Sequence, residues 1–584
     1  MSEAYIRNKA WLMLYTREHG ADEDSYPDGL ARSIHMAYST DGENFTPMFS
    51  NYGILFAKAE VTAENTLVPK CVKAPWVFKR EEGYGIAAIR VNEDGSEEEE
   101  SRGKVLLWTT SDFIHFEECG LVKLDAIPKC TNTGCGTSEE KSYKTGKETA
   151  GCDDKWSRYQ LACDDAVISC VIAADAALVD RAVLHYSKLT NVAVQVPERV
   201  AVKSAEELSK VQARAVYSDG STVQKRVRWD YSGIDFTKPG TYVVQGEVQT
   251  PEYPFPLANG YGDPVILPWE GKYYFIATND NTNDVGLYVR EADTVEGLFA
   301  EGIEQHIILD YDEEKNFIQT FWAPEFHVIG GELYILFAVG GKQWSPQCHL
   351  MKFKKGGSII SADSWEEPVR VVRQDGSFLG TKGITLDMTY IKSGKDSYMA
   401  WSYREHCMSE GDTGSMIYIA SVDEKEPWKL TSEPVLLTRP LYGWENLSGT
   451  INNEGPYAFV TEDTVYLAYS GGSANKFTYA VGMLTAKVGT DLLDLDNWEK
   501  AKQPVLSFYS IDGLYGPGHN SFFTDAEGNL MIAYHGETAI DKTLRCDGMH
   551  RVHFNIEGKP VFDLAPERDL KPELRKVRIK VVVK

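Results

Sequence analysis

The apolar residues of this 584-residue chain fall in short runs rather than in helical stripes. Nearly every run is a few residues of Val, Ile, Tyr, Phe and Trp closed off by Gly, Asp, Asn or Pro. KYYFIATND, GELYILFAVGG, KDSYMAWSY, TVYLAYSGG and NLMIAYHGE are examples. Runs of this length and composition predict β-strands, and their regular punctuation predicts an all-β barrel, sandwich or propeller. A recurring unit selects the propeller. It reads YGDPVILPWEGKYYFIAT, WAPEFHVIGGELYILFAVGG, TLDMTYIKSGKDSYMAWSY, NEGPYAFVTEDTVYLAYSGG and GHNSFFTDAEGNLMIAYHG, five copies between residues 261 and 536. Each copy opens on polar residues, often with Ala-Pro or Asp-Pro, descends one strand, turns at Gly or Asp, and returns on an aromatic strand. Five copies predict a five-bladed β-propeller whose leading polar residues converge on one axial mouth.

The rest of the chain is also β-patterned. Residues 1–190 carry a weaker echo: KAPWVFKREEGYGIAAIRV parallels WAPEFHVIGGELYILFAV, while MAYSTDGENFTPM and LLWTTSDFIHFEECG look like outer strands and turns of blades. This predicts an accessory β-rich domain, a partial or degenerate propeller, with no matching set of carboxylates. Over 191–250, alternating strands around YSDGST and KPGTYVVQGEV predict a small β-sandwich. The segment resembles the bacterial immunoglobulin-like domains in its YSDGS…W…PGTY…V pattern. The propeller is expected over 256–566, and a terminal strand or tail over 567–584.

Charge and cysteine usage narrow the function. A formal net charge of −26 argues against a nucleic-acid partner, because phosphate binding needs basic surface. No run of about 18 apolar residues predicts a membrane span. The N-terminal MSEAYIRNKAWLMLYTREHG lacks the basic start, apolar run and cleavage site of a signal peptide, so a cytoplasmic location is expected. Seven of the ten cysteines precede residue 171. Cys130, Cys135 and Cys152 share a polar loop, but without paired metal-ligand spacing they are expected to be free thiols rather than zinc ligands. Oligomeric state is not encoded in these patterns.

Three blade openings carry a carboxylate: Asp263 in GYGDPV, Asp387 in GITLDMTY and Glu454 in NNEGPYAF. Each alone reads equally as a turn or strand cap. Placed at equivalent positions of successive repeats they would meet at one channel mouth, where like charges repel unless a site requires them. Clustered carboxylates without a nucleophile–histidine pair suggest acid/base chemistry on a glycosidic bond. Inversion uses one protonated acid and one ionised base about 6.5–9.5 Å apart.

From about residue 256 to 566 the chain resembles glycoside hydrolase family 43, five-bladed propeller enzymes that invert. The matching motifs, in order, are GDPV, WAPEFH, LDMTY, NEGPY, YGPGHNSFF and IAYHG. The stretches YAVGMLTAKVGTDLLDLDNWEK and QPVLSFYSIDGLYGPGHNSF look most like the α-L-arabinofuranosidase branch. The resemblance implies that Asp263 is the general base, that Asp387 tunes and orients the acid, and that Glu454 is the general acid. His519 matches a histidine that faces the channel and helps hold a structural calcium through waters; the chemistry itself requires no cofactor. Trp322 serves either as an aromatic wall for a sugar face or as packing between blades. Arg551 resembles a late arginine that reaches a sugar hydroxyl, or is an ordinary surface arginine. Asn453 stands immediately before the acid, and Tyr457 follows Gly-Pro where smaller residues are common in the family; both depart from the expected pattern.

The expected function is exo-acting, inverting removal of terminal α-L-arabinofuranose from plant-type oligosaccharides. Two other readings stay open: a β-xylosidase or galactofuranosidase on the same scaffold, and a non-catalytic carbohydrate-binding propeller.

Overall fold

The computed structural model describes residues 8–18, 26–128, 156, 158–447, 451–542 and 544–584. The loop holding Cys130, Cys135 and Cys152 lies outside them. Five four-stranded antiparallel sheets form the blades of a five-bladed β-propeller. Their first strands are Tyr261–Trp269, Gln319–Ile329, Gly383–Ser393, Asn453–Val460 and Tyr515–Thr524, the openings of the five repeats. The fifth sheet takes its outer strand from Ala258–Asn259, which pairs with Cys546–Arg551. A segment preceding the first blade thus completes the last one. Second strands such as Lys272–Asn279 and Glu332–Gly340 are buried along nearly their whole length. A strand covered on both faces needs a continuous apolar run, which is why KYYFIAT and LYILFAV show no alternation.

One local distortion recurs. The pairing of first with second strand slips between Gly262 and Val265, Trp322 and Glu325, Leu386 and Thr389, and Gly518 and Ser521. Inside each slip one residue has a left-handed backbone: Asp263 at φ 59°, Ala323 at 45°, Asp387 at 53° and His519 at 42°. In the fourth blade Gly455 holds this conformation at φ 57°. A β-bulge leaves one residue unpaired and turns its side chain out of the regular alternation. Pro264, Pro324 and Pro456 follow the left-handed residue; a missing N–H is tolerated at a bulge, where ladder pairing is already broken. The Asp-Pro, Ala-Pro and Gly-Pro openings are therefore the sequence signature of the bulge.

By compactness the chain falls into two units, one of Met1–Ser187, Val371–Pro456 and Val460–Pro504, the other of Lys188–Arg370, Tyr457–Phe459 and Val505–Lys584. The first contains two N-terminal sheets that share one core, in which Leu12, Leu14 and Met36 lie with Ile86 and Trp108. The strand Lys70–Lys79 has the same slip, between Lys73 and Trp76, with Ala74 left-handed at φ 49° before Pro75. The likeness of KAPWVF to WAPEF is thus a likeness of backbone. The helix Ala176–Tyr186 starts at Asp175, whose Oδ1 accepts from the N–H groups of Ala177 and Leu178. It turns Val179, Ala182 and Tyr186 into the shared core.

The second unit contains the sandwich. One sheet holds Asn191–Gln195, Ala213–Tyr217 and Thr222–Lys225; the other holds Arg199–Val202, Gly240–Val248 and Val227–Trp229. Of the two expectations for the C-terminal segment, the structure shows the strand. Lys576–Val583 pairs parallel to Arg199–Val202 and antiparallel to Gly240–Val248, in the middle of that second sheet. Its alternation puts Ile579, Val581 and Val583 inside.

Candidate active site

Asp263 sits in the bulge of the first blade with 5% of its surface exposed. Its Oδ2 accepts from the Thr278 hydroxyl at 2.5 Å. Around Oδ1 lie His519 Nδ1 at 3.1 Å, His535 Nδ1 at 3.3 Å and Arg545 Nη1 at 3.2 Å. Burial pushes the carboxyl pKa up, but His519, Arg545 and His535 overturn that and hold it well below the usual carboxylate range. Asp263 is therefore an anion in a dry pocket. Arg545 is fixed from its other side by both oxygens of Asp280. Burial lowers the His535 pKa to about 4, so this ring is neutral near pH 7.

Asp387 and Glu454 belong to the third and fourth blades. Asp387 is 4% exposed, and its Oδ2 accepts from the backbone N–H of Gly455 at 3.1 Å. That N–H also points at Ser402 Oγ, 3.3 Å away. Asp387 thus holds the left-handed residue immediately after Glu454. The Glu454 carboxylate is half-buried, and its Oε1 accepts from the Tyr479 hydroxyl at 2.9 Å. Arg404 lies within electrostatic range of Glu454, its guanidinium gripped by Asp412 through Nε at 2.7 Å and Nη2 at 2.6 Å.

The same backbone device holds three of the left-handed residues. Asp263 donates its N–H to His535, Ala323 to Thr278 Oγ1 at 2.8 Å, and Gly455 to Ser402. Each acceptor stands on the second strand of another blade. A hydrogen bond between blades therefore sets the backbone at each of these bulges.

Trp322 is half-buried, and its indole N–H donates to Asp284 Oδ2 at 3.0 Å. Burial raises the Asp284 pKa. The indole is thus held in place without being absorbed into the core.

One expectation is corrected. Arg551 does not face a sugar. It is buried in an ionic cluster, donating to both oxygens of Asp569 and to the Tyr217 hydroxyl, while Lys225 Nζ reaches Asp569 Oδ2 at 2.8 Å. Its charge serves to join the fifth blade to the sandwich. The arginine at the carboxylate is Arg545, six residues earlier. The His519 ring addresses Asp263 at 3.1 Å, and among the described residues no group of three His, Cys, Asp or Glu side chains forms a metal site.

Arg545, His535, Thr278 and Tyr479 were not found by sequence reasoning. The signal available was the pairing of IAYHGE with CDGMHR, which sets His535 opposite Asp547 and brings the chain just before it, with Arg545, alongside.

Residues 254–560 match the family described as glycosyl hydrolases family 43, and residues 209–250 match the bacterial Ig-like domain, group 4. An extracellular exo-α-(1→5)-L-arabinofuranosidase of Streptomyces avermitilis is 30% identical over 321 residues, which are 53% of this chain and 63% of that protein. The chain therefore spans less than two thirds of that relative. A protein of the same name from Streptomyces chartreusis is 28% identical over 340 residues, 58% of this chain and 95% of its own. The solved α-L-arabinofuranosidase of Lactobacillus brevis is 29% identical, covering 53% of this chain and 96% of its own, with a TM-score of 0.46.

Proposed function

Because the chain belongs to glycosyl hydrolase family 43, we propose that it is an inverting, exo-acting glycosidase that removes terminal α-L-arabinofuranosyl residues from oligosaccharides. Asp263 is the general base, Glu454 the general acid, and Asp387 orients the acid. The observation that carries this reading is the setting of Asp263: a buried carboxylate with Arg545 and His519 at its Oδ1 is present as the anion that a general base requires. Glu454 protonates the glycosidic oxygen as its bond to the anomeric carbon breaks. Asp263 takes a proton from water, whose oxygen attacks that carbon from the opposite face. The first product is the β-anomer, with Glu454 left ionised and Asp263 protonated. Tyr479 holds one oxygen of the acid in place, and Trp322 offers a wall for a sugar face. Family 43 hydrolysis needs no cofactor for its chemistry.

The cytoplasmic location expected from the N-terminal segment is corrected. The Streptomyces relatives are named as extracellular enzymes, which points to secretion.

The test is kinetic. With 4-nitrophenyl glycosides, α-L-arabinofuranoside is expected to be cleaved in preference to β-D-xyloside and β-D-galactofuranoside, and proton NMR to show the β-anomer first. Replacing the acid, Glu454→Gln, should cost about 10²- to 10⁴-fold on alkyl or sugar leaving groups and far less on 2,4-dinitrophenyl, which leaves unprotonated. Faster cleavage of xyloside would reassign the sugar. Wild-type inactivity on every glycoside would leave a sugar-binding propeller.

A further inference from the structure

Asn453, the residue directly before the acid, has no exposed surface. Its Nδ2 donates to Glu445 Oε1 at 3.1 Å, and its Oδ1 accepts from Lys500 Nζ and Thr438 Oγ1, both at 3.1 Å. Glu445 is also without exposed surface, yet its carboxylate is fully engaged. Lys500 Nζ lies 2.6 Å from Oε1, the Tyr469 hydroxyl donates to Oε1 at 2.7 Å, and Tyr442 N–H donates to Oε2 at 2.8 Å. Lys500 completes its own three donors with the Arg439 carbonyl at 3.2 Å, its ammonium lying over the rings of Tyr442 and Tyr469. A buried pair satisfied on every atom holds one geometry, because any slip leaves a charge unpaired in a dry site.

The N-terminal region grips the same segment from outside. Ala59 N–H donates to the Leu441 carbonyl at 2.7 Å. Arg439 donates to Asn65 through Nη1, at 2.8 Å from Oδ1, and through Nη2, at 3.0 Å from the carbonyl. Lys58 bridges Tyr442 through the backbone and is itself anchored by Glu118 at 2.8 Å.

We infer that the N-terminal region is a positioning element for the acid, acting through a relay of Asn65, Arg439, Lys500 and Asn453 centred on Glu445. This rests on the assignment of Glu454 as proton donor. The relay touches no substrate. It fixes the register of the strand in which Asn453 points into the network and Glu454 points away from it. The region expected to be accessory thus becomes part of what sets the proton's position.

The experiment uses the full chain with Asn453→Ala, Lys500→Met and Arg439→Met. For each, kcat and KM are read on an alkyl and on a 2,4-dinitrophenyl arabinofuranoside, with thermal unfolding in parallel. Asn453→Ala is expected to lower kcat on the alkyl substrate about ten-fold or more, a fraction of what losing the acid costs, with KM nearly unchanged and the dinitrophenyl rate within about three-fold. Arg439→Met should show the same selectivity, more weakly, and Lys500→Arg should recover part of what Lys500→Met loses. Equal losses on both substrates, or none on either, in folded Asn453→Ala and Arg439→Met would overturn the inference. If Glu454→Gln itself lacks leaving-group selectivity, the assignment of the acid fails instead.

Discussion

Asp263 and Arg545 together show how a charge is prepared. Burial alone would raise the Asp263 pKa and favour the protonated form, which cannot take a proton. Arg545 and His519 at its Oδ1 reverse that and favour the anion. Replacing Arg545 with Met removes the permanent cation and lets the Asp263 pKa rise. Because only the anion takes a proton from water, the acid limb of the kcat/KM profile should move to higher pH while the alkaline limb stays. A profile displaced at both limbs, or at neither, would place Arg545 outside the base's environment. The same depressed pKa contributes stability above the unfolded value of about 3.9, lost as pH falls toward the folded value. Asp263 and Asp387 were legible as a pair because both stand at the left-handed position of a repeat, with Glu454 one residue before it in the fourth blade. Arg545 was not, since it meets Asp263 across 282 residues of chain and no local pattern announces the encounter. Arg551 misled because it shares the strand but aims its guanidinium into the junction with the sandwich.

At the level of the strand, the bulge matters more than the strand's composition. Asp263, Ala323, Asp387 and His519 each hold a left-handed backbone that costs a residue with a Cβ about 1–2 kcal/mol. Ala74 in the N-terminal sheet carries the same strain at an exposed position where packing does not interfere. Ala74→Val, β-branched, should therefore destabilise by roughly 1–2 kcal/mol more, while Ala74→Gly should be neutral or slightly stabilising. Denaturant unfolding measures both, and a Val variant as stable as wild type would deny that the strain is real. The Ala-Pro, Asp-Pro and Gly-Pro openings made most of these bulges readable. Asp387 and His519 lack the following proline, so only the repeat alignment marks them. Asn453 looked like a departure from the family pattern; alternation sends it to the opposite face from Glu454, into the buried network.

Across the whole molecule, distant segments close sheets that their neighbours in sequence leave open. Arg551 and Asp569, with Tyr217 and Lys225, pin the fifth blade to the sandwich. Arg551→Met leaves the buried Asp569 charge to Lys225 alone and should cost about 1.5–3 kcal/mol, with kcat and KM of the remaining folded protein unchanged. A kinetic defect at intact stability would return Arg551 to the substrate. The sandwich was legible from its turns, but its middle strand was not. Lys576–Val583 reads as an ordinary alternating strand, and nothing within it names partners as far back in the chain as Arg199–Val202 and Gly240–Val248.

That middle strand has a consequence for biogenesis. The sheet begun at Arg199–Val202 stays open, with apolar edges unpaired, until the chain has been synthesised through Val583. Newly made protein therefore carries an unfinished sandwich through translation of the entire propeller. Unpaired strand edges in such an intermediate are a ready template for association with other chains.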